Sequence, residues 1–162
     1  MAATLNLCTQ LADLLLQRRW MLSTAESCTG GLIAAACTDL AGSSNWFERG
    51  FVTYSNAAKT EMLGVDAQLI ATHGAVSEPV ARAMAHGAAE RAGTQLAVAV
   101  TGIAGPSGGS AAKPVGTVWF GWSVAGEVHS EMLRFDGDRA AVREATVLYA
   151  LRRLIALVQS AP

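Results

Sequence analysis

The run Met21-Leu-Ser-Thr-Ala-Glu-Ser-Cys-Thr-Gly-Gly-Leu-Ile-Ala-Ala-Ala-Cys-Thr38 holds a strand, a turn and a helix without interruption. Met21 to Glu26 reads as a strand and Ser27-Cys28-Thr29-Gly30-Gly31 as a tight turn. Leu32 to Thr38, small, apolar and alanine-rich, suits a buried helix. Upstream, Leu7, Leu11, Leu14 and Leu15 repeat at helical spacing, with Asp13, Gln17 and Arg18 on the polar side. Downstream, Phe47 to Tyr54 is β-rich, and Asn56 to Leu63 predicts a short helix that Gly64 stops. Ser77-Glu78-Pro79 supplies a capping hydroxyl, a first-turn acid and an early proline, and predicts a helix ending at Gly93. Leu96 to Thr101 is a continuous apolar strand, of the kind buried on both faces. Val115 to Val124 and Val128 to Phe135 predict antiparallel strands joined at Ala125-Gly126-Glu127. A last helix from about Arg139 carries Leu148, Leu151, Ile155 and Val158 on one side. Early alternation of helices and strands followed by a late hairpin predicts an α/β fold, a three-layer α/β/α sandwich on a mixed β-sheet.

Composition limits the function. With 162 residues, 51% of them hydrophobic, residues 1–162 are expected to form a single domain with a real core. A charged fraction of 15% and a net charge of −1 leave no basic surface for nucleic acid and no acidic disordered tail. Cys8, Cys28 and Cys37 are odd in number and form no C-x-x-C pair, so neither disulfides nor a thiolate zinc site is suggested, and a reducing cytoplasm fits. The apolar runs are too short to cross a membrane, and the start does not read as a signal peptide. Of the 12 basic residues only Lys59 and Lys113 are lysines.

Three loops after predicted strands, Glu26 to Gly31, Tyr54 to Lys59 and Thr101 to Gly116, sit where open α/β sheets bind ligands. Ser27 is a candidate nucleophile at a strand-to-helix turn, where free N–H groups could hold an oxyanion or phosphate; the plainer reading is that Ser27 or Thr29 caps the helix. Cys28 is a rival nucleophile without an electropositive neighbour in sequence. His73, His86 and His129 are scattered, so no serine-histidine-acid triad is indicated, although triads assemble in space. Lys59 could act as a base if burial lowered its pKa towards neutrality, and proton transfer is the one task that the far commoner arginine cannot perform. For a generic lysine on a short helix, solvation is the default. Ser110-Ala-Ala-Lys113 matches the S-x-x-K of penicillin-recognising enzymes, but Pro114 and the surrounding glycines argue against a helix, and Lys113 is assigned to binding instead. The third loop has the hydroxyls and N–H groups to hold an anion, or is merely a flexible connection.

Ala25-Glu-Ser-Cys-Thr-Gly-Gly-Leu-Ile-Ala34, Gly50-Phe-Val-Thr-Tyr-Ser-Asn-Ala-Ala-Lys59 with Leu63-Gly-Val65, Gly74-Ala-Val-Ser-Glu78, Val100-Thr-Gly-Ile-Ala-Gly-Pro106 and Lys113-Pro-Val-Gly116 together strongly resemble the CinA C-terminal domain family, over roughly residues 5 to 158. The resemblance implies deamidation of nicotinamide mononucleotide to nicotinic acid mononucleotide and ammonia, as a step of pyridine nucleotide recycling. It also implies a serine-lysine mechanism, carried by Ser27 and Lys59, in a homo-oligomer. Larger relatives have an extra N-terminal domain, for which this chain is not expected to have room. Ala41 stands where proline is common, outside the expected site. On this basis Tyr54 and Thr101 are expected to orient the lysine or the substrate, and N–H groups of Thr29, Gly30 and Gly31 to stabilise the oxyanion. Asn56, Gly102, Gly105, Ser107 and Lys113 are expected to bind substrate, with the phosphate against the Gly102 to Lys113 loop or, in competition, the helix start near Gly30. No metal or other cofactor is expected. A binding module without turnover, and an amidohydrolase for another small amide, are the competing readings. Trp46 and Phe47, or the apolar side of the first helix, are either a subunit contact or core.

Overall fold

Five strands form one sheet in the order β2-β1-β3-β4-β5, in a computed structural model that describes residues 2–162. The elements run α1 (Ala2–Arg18), β1 (Leu22–Glu26), α2 (Leu32–Thr38), a 3-10 turn (Ser43–Asn45), β2 (Phe47–Val52), α3 (Asn56–Leu63), α4 (Ala67–His73), α5 (Glu78–Ala92), β3 (Leu96–Gly102), β4 (Thr117–Val124), β5 (Glu127–Arg134) and α6 (Arg139–Ser160). β1 lies parallel to β2 and β3, while β4 runs antiparallel to β3 and β5, so the sheet is mixed, as the late hairpin predicts.

Alternation along the strands divides the core into two unequal halves. Leu96, Val98 and Val100 of β3, with Val118, Phe120 and Trp122 of β4, face the layer of α1, α2 and α6. Ala97 and Ala99 face the other layer, where α5 contributes Val80, Met84, Ala85 and Ala88, and α3 contributes Leu63. The second face is built from small residues, so α5 approaches the sheet closely: a Cβ on Gly121 of β4 would lie 2.3 Å from the Ala81 carbonyl oxygen. The three-layer sandwich follows from these two faces.

Several local expectations change. α4 was not anticipated; its start is marked by Asp66, whose Oδ1 accepts the Gln68 N–H at 2.9 Å. Ser77 precedes α5 but does not cap it, since its hydroxyl donates to the Gly74 carbonyl at 2.8 Å. The fourth strand begins at Thr117 rather than Val115. In α6, Leu151, Ile155 and Val158 are buried as expected, but Leu148 is half-buried and Val147 and Leu154 complete the seam. The two patches left open between subunit contact and core belong to the core: Trp46 is 1% exposed, Phe47 packs against the same cluster, and Cys8, Leu11, Ala12 and Leu15 are buried.

Candidate active site

Two parallel strands end side by side, and their shared edge positions the serine. β1 stops at Glu26, and the Ser27 N–H donates to the Val100 carbonyl of β3 at 3.1 Å, which fixes the main chain of the turn. Behind that turn the Glu26 carboxylate, 1% exposed, accepts three hydrogen bonds. Its Oε1 receives the Thr29 hydroxyl at 2.6 Å and the Ile33 N–H at 2.8 Å, and its Oε2 receives the Ala34 N–H at 3.0 Å. A buried acid thus satisfies the start of α2, where the positive end of the helix dipole favours negative charge. The Gly30 N–H donates to the Ser27 carbonyl and the Leu32 N–H to the Thr29 carbonyl. Thr29, Gly30 and Gly31 do not line the cleft over Ser27, and the start of α2 holds this carboxylate.

Lys59 reaches the serine from α3, whose N-terminus is capped by the Ser55 hydroxyl accepting the Ala58 N–H at 3.0 Å. The lysine is 1% exposed, against the default expectation of solvation. Its Nζ lies 3.0 Å from Ser27 Oγ and donates to the carbonyls of Thr53 at 3.0 Å and Tyr54 at 3.4 Å. Burial holds the amine below the usual lysine range. In its neutral form the amine would have two hydrogens for the two carbonyls and one lone pair left to face the Ser27 hydroxyl; protonated, it donates to all three oxygens. The serine hydroxyl is 8% exposed and within 3.4 Å of the Tyr54 carbonyl as well. Cys28 is the weaker nucleophile, because burial pushes its thiol up to about 12 and keeps it protonated at neutral pH.

A cleft of about 260 Å³ opens over Ser27 and Lys59. Tyr54, Asn56, Thr101, Gly102, Gly105 and Ser107 line it, together with Cys28, Gly108 and Arg139. The Thr101 hydroxyl donates to the Ala75 carbonyl at 2.9 Å and so ties the segment before α5 to the cleft wall. Gly102 leaves no room for a side chain, since a Cβ there would meet the Val118 side chain at 2.8 Å and Cys28 Sγ at 3.2 Å. A larger groove of about 820 Å³ between α1, α2 and α6 contains none of these groups. Among the described residues, no three His, Cys, Asp or Glu side chains converge as a metal site would require.

Two of the expected side chains engage partners other than the serine or its lysine, Tyr54 at the cleft wall and Lys113 outside it. The Tyr54 ring is 60% exposed and its hydroxyl accepts from Arg139 Nη2 at 3.0 Å, so Tyr54 meets the lysine through its main-chain carbonyl. Lys113 Nζ donates to the His73 carbonyl at 2.7 Å, latching the third loop to the end of α4 outside the cleft lining. Ser110 and Lys113 bond within a local turn, and no helix forms there, as Pro114 predicts. Arg139, which the sequence did not single out, supplies the cation at the cleft rim and donates to the Gly105 carbonyl at 2.9 Å. Arg143 donates to the carbonyls of Cys28 at 3.1 Å and Thr29 at 3.2 Å and braces the nucleophile turn. The signal in the sequence is their position: two arginines in the opening turns of α6 oppose the helix dipole, so α6 itself gives no reason for them and their partners lie outside it.

The sequence matches the CinA C-terminal domain over residues 4–158. The nicotinamide-nucleotide amidohydrolase PncC of Pseudomonas putida is 54% identical over 152 residues, covering 94% of this chain and 95% of that protein. PncC of Escherichia coli K12 is 54% identical over 151 residues, covering 93% and 92%. Among solved structures, the competence/damage inducible protein CihA from Agrobacterium tumefaciens aligns with a TM-score of 0.93 at 50% identity, over 96% of this chain and 95% of that one. A CinA superfamily protein from Klebsiella pneumoniae aligns with a TM-score of 0.94 at 40% identity, over 98% and 99%. With the match spanning nearly every element that builds the cleft, the chain belongs to the CinA C-terminal domain family.

Proposed function

We propose that this chain is a nicotinamide-nucleotide amidohydrolase that converts nicotinamide mononucleotide and water to nicotinic acid mononucleotide and ammonia, as a step of pyridine nucleotide recycling, with Ser27 as nucleophile and Lys59 as its base. The observation that carries the reading is a lysine amine buried without a carboxylate and 3.0 Å from a serine hydroxyl at the edge of a cleft. The names of the relatives supply the substrate, and the geometry supplies a chemical route to it.

Neutral Lys59 takes the Ser27 proton as Oγ attacks the carboxamide carbon. The Cys28 N–H, one residue past the nucleophile, stabilises the oxyanion, since Cys28 lines the cleft while Thr29, Gly30 and Gly31 do not and the Gly30 N–H donates to the Ser27 carbonyl. Protonated Lys59 passes its proton to the departing nitrogen, releasing ammonia and leaving an acyl ester on Ser27. Water then attacks that ester, with Lys59 again accepting a proton and returning it to Oγ. The substrate phosphate meets Arg139 at the rim, beside Ser107 and Gly108, because Lys113 is held by the His73 carbonyl.

Ammonia release from nicotinamide mononucleotide tests the assignment. Ser27→Ala is expected to abolish it while the melting temperature stays close to that of the parent. Lys59→Arg is expected to be as inactive as Lys59→Ala, since arginine keeps the charge and gives up no proton at neutral pH. An active arginine variant would reduce Lys59 to a binding cation.

A further inference from the structure

The cleft offers a single titratable base for both halves of the reaction. None of its lining residues is aspartate, glutamate or histidine. The nearest carboxylate along the chain, Glu26, is committed to the Thr29 hydroxyl and the N–H groups of Ile33 and Ala34. His86 and His129 pair with Glu90 and Glu127 at other sites. The Cys28 thiol, pushed up by burial, stays protonated. Lys59 must therefore hand a proton to departing ammonia and afterwards take one from the incoming nucleophile, and both events occur where its single lone pair points, at Ser27 Oγ. Because Nζ also lies 3.0 Å from the Thr53 carbonyl and 3.4 Å from the Tyr54 carbonyl, the amine in its neutral form would give its hydrogens to these two and keep its lone pair on the Ser27 side.

From this we infer that the protein is also an acyltransferase, delivering the nicotinoyl nucleotide acyl group to small neutral amines of the hydroxylamine class. The inference rests on the Ser27 acyl ester proposed above. The place that ammonia leaves is the place that water enters, and a neutral nitrogen nucleophile retraces the ammonia path. In the transfer, hydroxylamine nitrogen bonds to the acyl carbon, one N–H proton passes to Lys59 Nζ and on to Ser27 Oγ, and the bond between the acyl carbon and Oγ breaks. The products are the hydroxamate of nicotinic acid mononucleotide and free Ser27, so atoms and charge balance with no further reagent. The nucleophile must arrive neutral, because an ammonium has no lone pair to attack with and the cleft lining has no carboxylate to deprotonate it, only Lys59 and Arg139. Hydroxylamine is largely unprotonated at neutral pH; methylamine is almost wholly protonated there.

The test incubates the protein with nicotinamide mononucleotide and increasing hydroxylamine at neutral pH. Ammonia, nicotinic acid mononucleotide and the hydroxamate are quantified by mass spectrometry, with methylamine in a parallel series. The hydroxamate is expected to rise with hydroxylamine and to saturate. The acid should fall in step, so that acid plus hydroxamate equals the ammonia released. Methylamine should give no detectable amide, and Ser27→Ala should give neither product. Acid as the sole product at every hydroxylamine concentration, with ammonia release intact, overturns the transfer and leaves the hydrolase reading standing. Absence of ammonia from nicotinamide mononucleotide in the amine-free reaction overturns both. Equal transfer to methylamine at neutral pH overturns the requirement for a neutral nucleophile set by the cleft.

Discussion

Glu26→Gln separates a structural carboxylate from a catalytic one, although the residue directly precedes the proposed nucleophile, Ser27. Glu26 Oε1 accepts from the Thr29 hydroxyl and the Ile33 N–H, and Oε2 accepts from the Ala34 N–H. A glutamine placed with its oxygen on Thr29 and Ile33 keeps two of these bonds but turns an NH2 group on the Ala34 N–H. One buried donor then faces another donor, which costs about 1–3 kcal/mol. Losing the negative charge at the start of α2 costs a further ~0.3–1 kcal/mol. The total is about 1.3–4 kcal/mol, and at roughly 2–4 °C per kcal/mol for a chain of this size the melting temperature should fall by about 3–16 °C. Glu26→Ala loses all three bonds and should fall further. The Ser27 main chain is held independently by the Val100 carbonyl and by Arg143 through Cys28, so the folded Gln variant should keep kcat within about tenfold of the parent. The measurements are thermal unfolding followed by circular dichroism, and ammonia release well below the new melting temperature. An unchanged melting temperature would refute the capping role. A folded Gln variant as inactive as Ser27→Ala would instead place the carboxylate in the chemistry.

Gly121→Ala puts a Cβ 2.3 Å from the Ala81 carbonyl oxygen, where α5 backbone rather than a flexible side chain must yield, so urea unfolding should show a loss of about 1–3 kcal/mol. Arg139→Ala should raise KM for nicotinamide mononucleotide by more than tenfold with kcat little changed, an effect absent for nicotinamide riboside, which lacks the phosphate; a fall in kcat alone would count against a phosphate role. Cys28→Ala should retain most activity, because its thiol is protonated at neutral pH, and iodoacetamide should leave the parent active. The Lys59 amine is held below the usual range by burial, so between its folded pKa and the unfolded value of about 10.4 the unfolded chain binds more protons, and stability should rise with pH through that window and be lost as pH falls through it. Lys59→Met should flatten that part of the pH–stability curve, and parallel curves for the two proteins would refute the linkage.

The strands and most helices were legible because their signals are local: the apolar run of Leu96 to Thr101, the hairpin turn after Val124, and glycine at the ends of α3 and α5. α4 escaped because seven residues give barely two turns of periodicity, and its one marker, Asp66, looks like any loop acid. The approach of Lys59 to Ser27 could be anticipated because lysine is scarce and the loop motifs are long. Arg139 escaped for a different reason. Its partners, the Gly105 carbonyl and the Tyr54 hydroxyl, lie 34 and 85 residues away, and no spacing rule joins them. Lys113 was misplaced in the same way: its reach to the α4 carboxyl end depends on a helix that the sequence did not announce.

Lys59 is kept out of water with no carboxylate to pair it, and the packing of α3 accounts for this. α3 is only eight residues long, and its two buried side chains are Lys59 and Leu63, one turn apart on the same face. Leu63 packs into the cluster formed with α5, and Gly87 of α5 is so near that a Cβ there would sit 2.1 Å from the Leu63 carbonyl oxygen. α3 is thus pressed against α5 at its carboxyl end. A helix pinned at position i+4 has no freedom to rotate position i into solvent, so Lys59 is carried beneath the strand ends with the leucine. The hydrophobic contact offsets the desolvation of the amine, and the Thr53 and Tyr54 carbonyls receive its hydrogens. On this account the reactivity of Lys59 depends on Gly87, which touches neither lysine nor cleft. Gly87→Ala should displace α3, re-expose the amine and move the alkaline rise of activity towards higher pH, whereas an effect confined to the melting temperature would show that the lysine is held by its own hydrogen bonds alone.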